Sequence, residues 1–305
     1  MRSYILSISC IAAFLALNCR DESRGDAQLA FARVGTISRT VLALAAVDRA
    51  RSALLIHQGT NSADSTLEHF FALLSDPARN RPVRILHYGD SILWSDLMTA
   101  RIRTRLTNIF GNGGRGLMPP ALEAADNQLS GIAQRQWGNW QVSFLQTMAG
   151  YRQEVGITLR RVETPGMASV AEYDLEGDSG VERVLLLTEP GSGSYSLYGR
   201  TQSGEAWSNC KVPCTNAFIR HSAPAPLVRL RLVADPGTVL YGISLEQNNG
   251  GIVYSPVMRR GICSHDFPDI APERFRAQLA AFAPDLVVFH FGKNEAGWDK
   301  YTLDK

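Results

Sequence analysis

The sequence lacks several features that would place it in a common functional class. Its charges nearly cancel, with 31 Lys and Arg against 29 Asp and Glu, and a net charge of +2 argues against a dedicated nucleic-acid binder. No spacing among its five cysteines and six histidines matches a zinc site. A phosphate-binding loop ending in Lys-Ser or Lys-Thr is also missing.

The N-terminus has an apolar run that is too short to cross a membrane. Residues 4–17 are uncharged and apolar, whereas a spanning helix needs about 20 such residues. The run fits the core of a secretory signal at 1–19, followed by a tether at 20–40. Its end, Ala-Leu-Asn-Cys19, resembles a bacterial lipoprotein signal, which implies lipidation at Cys19 and a membrane anchor in the periplasm or cell envelope. An ordinary signal peptide and a buried N-terminal helix remain alternatives.

Two cysteines lie close together in a polar stretch. Cys210 and Cys214 bracket Lys-Val-Pro, and disulfides form in exported proteins. We therefore expect a small-loop disulfide between them, with Cys263 left buried and unpaired.

Strand–helix units enclose a β-rich block. Helical patterns cover 41–57, 65–75, 94–110 and 271–282, and short apolar strands cover 83–88, 252–257 and 286–291. From about 135 to 250, short β runs recur between turn signals, as in a β-sandwich or jelly roll. The pattern predicts an α/β domain, at 41–134 and 251–305, interrupted by an inserted β-sandwich at 135–250.

Polar residues follow two of the α/β strands. Gly89-Asp90-Ser91 comes after 83–88, and Gly292-Lys293-Asn294 comes after 286–291. Open α/β sheets bind ligands at the carboxyl ends of their strands. Ser91 could therefore act as a nucleophile, and the Asn294 amide could donate to an oxyanion. Both triplets also suit ordinary turns, and we expect Asp90 to organise its turn by accepting backbone N–H groups.

These segments resemble the SGNH/GDSL hydrolase superfamily. The superfamily has conserved sequence blocks. The first resembles Ile-Leu-His-Tyr-Gly-Asp-Ser91, and the third resembles Phe-Gly-Lys-Asn294-Glu-Ala. Gly261 is the best match to the glycine of the second block. The resemblance implies a flavodoxin-like three-layer α/β domain with Ser91 as nucleophile. The backbone N–H groups of Ser91 and Gly261 and the Asn294 amide would hold the oxyanion, with Gly89 and Gly292 in the turns. No metal or organic cofactor is implied. Met258 and Arg260 stand where related sequences have Gly and Asn.

A narrower resemblance is to bacterial envelope esterases similar to peptidoglycan O-acetylesterases. It rests on Asp96, Thr99 and the Phe-Gly-x-Gly-Gly-Arg-Gly ending at 110–116. Such proteins carry a β-sandwich insert resembling a carbohydrate-binding module. The resemblance implies an exported esterase that hydrolyses O-acyl esters, above all O-acetyl esters, on an envelope or extracellular glycan through an acyl-enzyme. Trp137, Trp140 and Trp207 could stack on sugars or pack in the core.

The general base expected of this superfamily is missing. No Asp-x-x-His occurs in the chain, and a serine hydroxyl is a weak nucleophile without a base. Three explanations are open. The chain could be a fragment of a longer protein, or the site could be completed by a partner or by another histidine. Alternatively, the protein could be non-catalytic. His265, close after Gly261, is the local candidate base, whereas His87 and His290 lie in strands and suit the core. A carbohydrate-binding envelope lipoprotein and an O-acyltransferase remain alternative functions.

Overall fold

The computed structural model describes residues 5–6, 65–123, 130–146, 153–175, 180–248 and 250–296. Cys19, the tether at 20–40 and the helix expected at 41–57 lie outside the described residues, as does all but Ile5–Leu6 of the expected signal. No helix in the described part of the chain is long and apolar enough to cross a bilayer.

The described residues form two sheets and a few helices. The strands are β1 Ile5–Leu6, β2 Val83–Gly89, β3 Gly114–Met118, β4 Ala133–Trp137, β5 Gln141–Phe144, β6 Arg160–Glu163, β7 Ser169–Asp174, β8 Val181–Thr188, β9 Ser194–Thr201, β10 Ala206–Pro213, β11 Phe218–Ala234, β12 Val239–Glu246, β13 Ile252–Met258 and β14 Leu286–His290. The helices are α1 Ser65–Ser75, α2 Leu97–Phe110, α3 Pro272–Phe282 and the short α4 Lys293–Ala296, with a 3₁₀ helix at Ser264–Asp269.

The smaller sheet is parallel and has the strand order β1-β14-β2-β13. Every residue of β2 and β13 is buried, which explains their nearly continuous apolar sequences. Apolar side chains of α1 and α2 cover one face, including Phe70 and Ile102. Phe282 of α3 and side chains of the insert cover the other face. The predicted strands at 83–88, 252–257 and 286–291 are confirmed to within one or two residues.

The larger sheet system is antiparallel and folds into a sandwich. The long strand β11 pairs with β8 through 218–222 and, after a register shift, with β9 and β7 through 227–234. It therefore crosses from one layer to the other. Apolar residues from both layers, such as Leu186, Leu197 and Leu232, meet in one buried cluster. This agrees with the β-sandwich that the recurring β runs predict.

A buried interface joins the two sheet systems. Arg84 of β2 makes a bidentate ion pair with Glu246 of β12, at 2.8 and 2.7 Å. The backbone N–H of Leu117 in β3 donates to Ser255 Oγ of β13 at 2.9 Å. Strand β3 pairs with β12, although the sequence assigned it to the first part of the α/β domain. The insert is thus packed firmly against the parallel sheet.

Two sequence-based expectations differ from the structure. The helix expected from residue 94 begins at Leu97, because residues 91–95 form turns and Asp96 takes a left-handed conformation, φ 52°. The predicted disulfide is absent, since Cys210 and Cys214 are both free thiols. Cys210 is exposed with its sulfur 3.7 Å from the Tyr198 hydroxyl, whereas Cys214 is buried in the sandwich core.

Candidate active site

Three loops meet at the carboxyl edge of the parallel sheet. They follow β2, β13 and β14, and β2 lies between the other two strands. The register pairs Met258 of β13 and His290 of β14 with the same residue, Gly89 of β2. The three strands therefore end at one level, and the loops carrying Ser91, Gly261 and Asn294 share one edge.

The loop after β2 is a tight turn that presents Ser91. A Cβ atom at Gly89 would lie 2.4 Å from Leu93 Cδ1 and 3.1 Å from the His290 carbonyl oxygen, so the turn is compact because glycine stands there. Asp90 is fully buried, and its Oδ1 accepts the Ile92 N–H at 2.9 Å. Ser91 itself is half-buried. Within the described chain, no side chain hydrogen-bonds to Ser91 Oγ.

The loop after β13 contains Gly261. Its φ of +79° is a left-handed conformation that favours glycine, and no atom lies within 4 Å of where a Cβ would be. The residue is exposed, so its backbone borders open space at this edge. The Arg259 N–H donates to the Gly89 carbonyl at 3.3 Å, which holds the start of this loop against the end of β2.

Asn294 joins the two outer loops across the end of β2. Its Nδ2 donates to the Ile262 carbonyl at 2.8 Å, which fixes the amide beside Gly261. One amide proton is used in this bond, and among the described residues no hydrogen bond uses the second, which can donate to a bound ligand. The structure therefore brings Asn294 and the Gly261 loop together above the strand that leads to Ser91.

Glu295 adds a second connection that the sequence reasoning missed. Its Oε1 accepts the N–H and hydroxyl of Ser264 at 2.7 and 3.0 Å, and its Oε2 accepts the Gly292 N–H at 2.9 Å. Burial alone would raise the pKa of Glu295, but these hydrogen bonds outweigh it and lower the pKa. Its position directly after Asn294 was the only available signal in the sequence.

Asp96 anchors the end of the Ser91 turn. The buried carboxylate accepts hydrogen bonds from Thr99 Oγ1, from Arg103 Nη2 at 3.2 Å and from the Ser130 N–H at 2.7 Å. Arg115 lies 3.6 Å away. Burial would raise the pKa of Asp96, but the charges of Arg103 and Arg115 and the hydrogen bonds lower it. The network ties the turn to α2 and to β3.

The histidines near this edge have different surroundings. His265 is exposed on the 3₁₀ helix, and the neighbouring Asp266 is buried with its Oδ2 accepting the Cys263 N–H at 2.7 Å. His87 is buried, bonded through Nδ1 to the Tyr254 hydroxyl and stacked on His290 at 5.6 Å. Burial, with a contribution from His290, lowers the pKa of His87 to about 3, so it is neutral at neutral pH.

His290 lies closer to the surface than His87. Burial lowers its pKa, and the charge of Asp90 opposes this shift. Among the described residues, no cluster of three or more His, Cys, Asp and Glu side chains could hold a metal ion.

The tryptophans of the insert divide into two groups. Trp137, at the end of β4, is 49% exposed. Trp140 and Trp207 are partly buried and pack against the sandwich core. Trp137 is therefore the most exposed of these three side chains.

Comparisons with known proteins agree with the overall arrangement. No family model and no curated protein sequence matches the chain. A solved peptidoglycan O-acetylesterase superposes with a TM-score of 0.57 at 22% identity, over 79% of this chain and 64% of that one. At this identity the likeness shows a shared fold. The chain spans 64% of the length of that esterase.

Two carbohydrate-binding modules match part of the chain weakly. The family 32 module from Streptococcus pneumoniae EndoD covers 38% of this chain and 96% of its own, at 10% identity and a TM-score of 0.29. A pectin-binding module covers 32% of this chain and 78% of its own, at 9% identity and a TM-score of 0.24. Similarity at this level supports no conclusion about what the insert binds.

Proposed function

We propose that this chain carries the active site of a serine esterase of the SGNH type. The parallel sheet with helices on one face, and with α3 and the insert on the other, would be its flavodoxin-like three-layer domain. Ser91 is the nucleophile, and the N–H groups of Ser91 and Gly261 and the Asn294 amide hold the oxyanion.

The observation that carries the proposal is the hydrogen bond from Asn294 to the Ile262 carbonyl. It holds an amide donor beside a glycine backbone, above the strand that ends at the Ser91 turn. Fixed donors at the point where charge develops are the main requirement for catalysis of acyl transfer. If Asn294 only closed the turn after β14, it would not need a hydrogen bond to the loop that follows β13.

The reaction begins with attack of Ser91 Oγ on the acyl carbonyl carbon. A general base takes the serine proton, and the carbonyl oxygen becomes an oxyanion that the three donors stabilise. Collapse breaks the ester bond, the sugar oxygen leaves with the proton, and the acyl group stays on Ser91. Water then attacks the acyl-enzyme and releases the free acid.

The proposal assigns none of the described residues as the general base. His265 is exposed, and the neighbouring Asp266 accepts the Cys263 N–H through its Oδ2. His87 is buried in a core contact with Tyr254. We therefore expect weak turnover by this chain alone, with strong stimulation when a base is supplied from solution.

The substrate we propose is an O-acetyl ester on a glycan, such as peptidoglycan or another polysaccharide. This rests on the resemblance of the 87–120 segment to envelope esterases and on the shared fold with a peptidoglycan O-acetylesterase. The enzyme would be exported and anchored through Cys19. Metabolic labelling with a palmitate analogue, with and without Cys19→Ala, tests the anchor.

Chemical rescue tests the catalytic assignment. We would measure hydrolysis of 4-nitrophenyl acetate by the chain with increasing imidazole, and compare Ser91→Ala. The rescued rate should disappear in Ser91→Ala, and mass spectrometry of the wild type should find an acetyl group on Ser91. The matched control is Ser95→Ala, which removes an exposed hydroxyl from the same turn. Equal rescued rates in the wild type and Ser91→Ala would refute the proposal.

A carbohydrate-binding role without catalysis is the second candidate. The exposed Trp137 favours it, because flat aromatic surfaces stack on sugar rings. It predicts glycan binding that Trp137→Ala weakens and Ser91→Ala leaves intact, in a protein that imidazole does not activate. An O-acyltransferase would share the acyl-enzyme and would be recognised by transfer of the acyl group to a sugar rather than to water.

A further inference from the structure

An apolar cleft lies beside the Ser91 turn. It encloses about 440 Å³ including its solvent-open part. Trp94 of the turn lines it, and the Trp94 N–H donates to the Ser91 carbonyl at 3.3 Å. Met258 at the end of β13 also lines it, and the register pairs Met258 with Gly89, two residues before Ser91. The cleft therefore adjoins both the nucleophile turn and the strand that leads to the Gly261 loop.

The walls of this cleft are almost wholly apolar. Part of the lining comes from the end of β13, and part comes from β3 and the residues that follow it. Apart from Trp94 and Met258, the apolar lining includes Leu117, Met118, Leu122 and Pro256. Met118 and Met258 are buried, whereas Trp94 and Leu122 are partly exposed. The cleft therefore joins a buried apolar surface to apolar side chains that a ligand can reach from solvent.

Two polar side chains also line the cleft, and both have contacts within the protein. The Thr158 hydroxyl donates to the Tyr241 carbonyl. Arg160 is the one charged side chain among the lining residues and is 5% exposed. Its guanidinium carbon lies over the Phe144 ring, 4.6 Å from the ring centroid. A ligand in the cleft would therefore meet mainly carbon atoms.

The apolar lining decides between the two parts of a glycan ester. A sugar ring placed there would bury hydroxyl groups away from water with few partners, which is unfavourable. A hydrocarbon chain has no such groups, and each methylene that leaves water for an apolar surface is a favourable contribution. An acetyl group ends in a single methyl, which would leave most of the cleft unused. The lining therefore fits a longer acyl chain best.

We propose that this cleft binds the hydrocarbon part of an acyl group longer than acetyl, such as a butyryl group. Trp94, Leu122 and Met258 are the specificity-determining residues, because they line the cleft and the first of them belongs to the nucleophile turn. The chain of the acyl group would lie in the cleft while its carbonyl carbon reacts with Ser91. This rests on the proposed esterase function and widens its acyl specificity beyond the acetyl group.

The experiment compares imidazole-supported hydrolysis of 4-nitrophenyl acetate and 4-nitrophenyl butyrate by the full chain. Each rate is divided by the rate with imidazole alone, because the two esters differ in intrinsic reactivity. The corrected kcat/KM for the butyrate should exceed that for the acetate about tenfold or more, as methylene groups in an apolar pocket do. The leaving group is the same in both esters, so the difference reports the acyl chain alone.

Leu122→Trp is the primary variant, because Leu122 is partly exposed and a larger side chain there should fill the cleft without disturbing the fold. It should lower the corrected kcat/KM for the butyrate severalfold or more and leave the acetate unchanged. Leu122→Gln keeps the size of the side chain but makes it polar, and it should lower the same preference. Leu97→Gln is the matched control, since Leu97 is 76% exposed on α2 and does not line the cleft.

Two results would overturn the inference. One is an equal corrected kcat/KM for the two esters, which is expected if the cleft holds the sugar instead. The other is a preference for the butyrate that both Leu122→Trp and Leu122→Gln leave intact.

A binding measurement separates this inference from the esterase assignment. Isothermal titration calorimetry of the full chain carrying Ser91→Ala should show 4-nitrophenyl butyrate bound severalfold more tightly than the acetate, whether or not the wild type is catalytic. Equal binding of the two esters would count against the cleft and leave the Ser91 assignment to the imidazole rescue. Preferential binding of the butyrate without any Ser91-dependent turnover would remove the esterase and keep the cleft as a site for acyl chains.

Discussion

Replacing Asp96 with alanine should destabilise the protein strongly and disturb the Ser91 turn. The carboxylate is fully buried and faces two arginines that are themselves largely buried, Arg103 at 11% and Arg115 at 3% side-chain exposure. The variant would remove the negative charge and leave both cations in place. Breaking a buried ion pair by deleting one partner costs about 3–5 kcal/mol.

The expected loss of unfolding free energy for Asp96→Ala is therefore about 3–5 kcal/mol, most of it from the two arginines. Asp96→Asn is the matched control. Asparagine tolerates the left-handed backbone and keeps an acceptor for the Thr99 hydroxyl, but it lacks the charge. It should fall between the wild type and Asp96→Ala.

Urea denaturation followed by tryptophan fluorescence measures both losses, and pH gives an independent check. The pKa of Asp96 is lower in the folded protein than the value of about 3.9 in the unfolded chain. Its stabilisation is therefore present above about pH 4 and is lost as the pH falls through the folded-state pKa. The difference between the wild type and Asp96→Asn should shrink below pH 4.

A cost below about 1 kcal/mol for Asp96→Ala would refute this reasoning, because exposed ion pairs contribute that little. A pH-independent difference between the wild type and Asp96→Asn would show that the charge is not the cause. In that case the network would act through the shape of the turn alone.

Three further predictions concern the contacts around the site. Asn294→Ala should lower the imidazole-supported kcat/KM about 10²- to 10³-fold, as loss of one oxyanion donor does, with only a small fall in Tm from the lost bond to the Ile262 carbonyl. Arg84→Met should cost less in urea denaturation than the about 3–5 kcal/mol of a fully broken buried pair, since Glu246 keeps Arg183 at 3.9 Å and the Ser244 hydroxyl at 3.0 Å, and adding Glu246→Leu should recover part of the loss. Glu295→Gln should lower the Tm at neutral pH and match the wild type in acid, because a depressed pKa makes its carboxylate stabilising only above that pKa.

The sequence determined the local elements of the parallel sheet and the residues at its edge. Buried strands such as β2 and β13 need apolar side chains on both faces, so their sequences alone show where they lie. A Gly-Asp-Ser turn and an Asn after such strands could be placed at one edge, because parallel strands end together. Which loops contact one another did not follow from these patterns.

The tertiary structure decided the contacts between distant segments. The Asn294–Ile262 and Glu295–Ser264 bonds join loops about 30 residues apart, and the Arg84–Glu246 pair joins the two sheet systems across 162 residues. Strand β3 belongs to the sheet of the insert only because β12 pairs with it. Likewise, the short Cys210–Cys214 spacing suggests a disulfide, but one thiol is exposed and the other is in the core. The hydrophobic pattern of a short segment indicates which face of that helix or strand is buried. Pairing between distant segments depends instead on how all the helices and strands bury their apolar faces together.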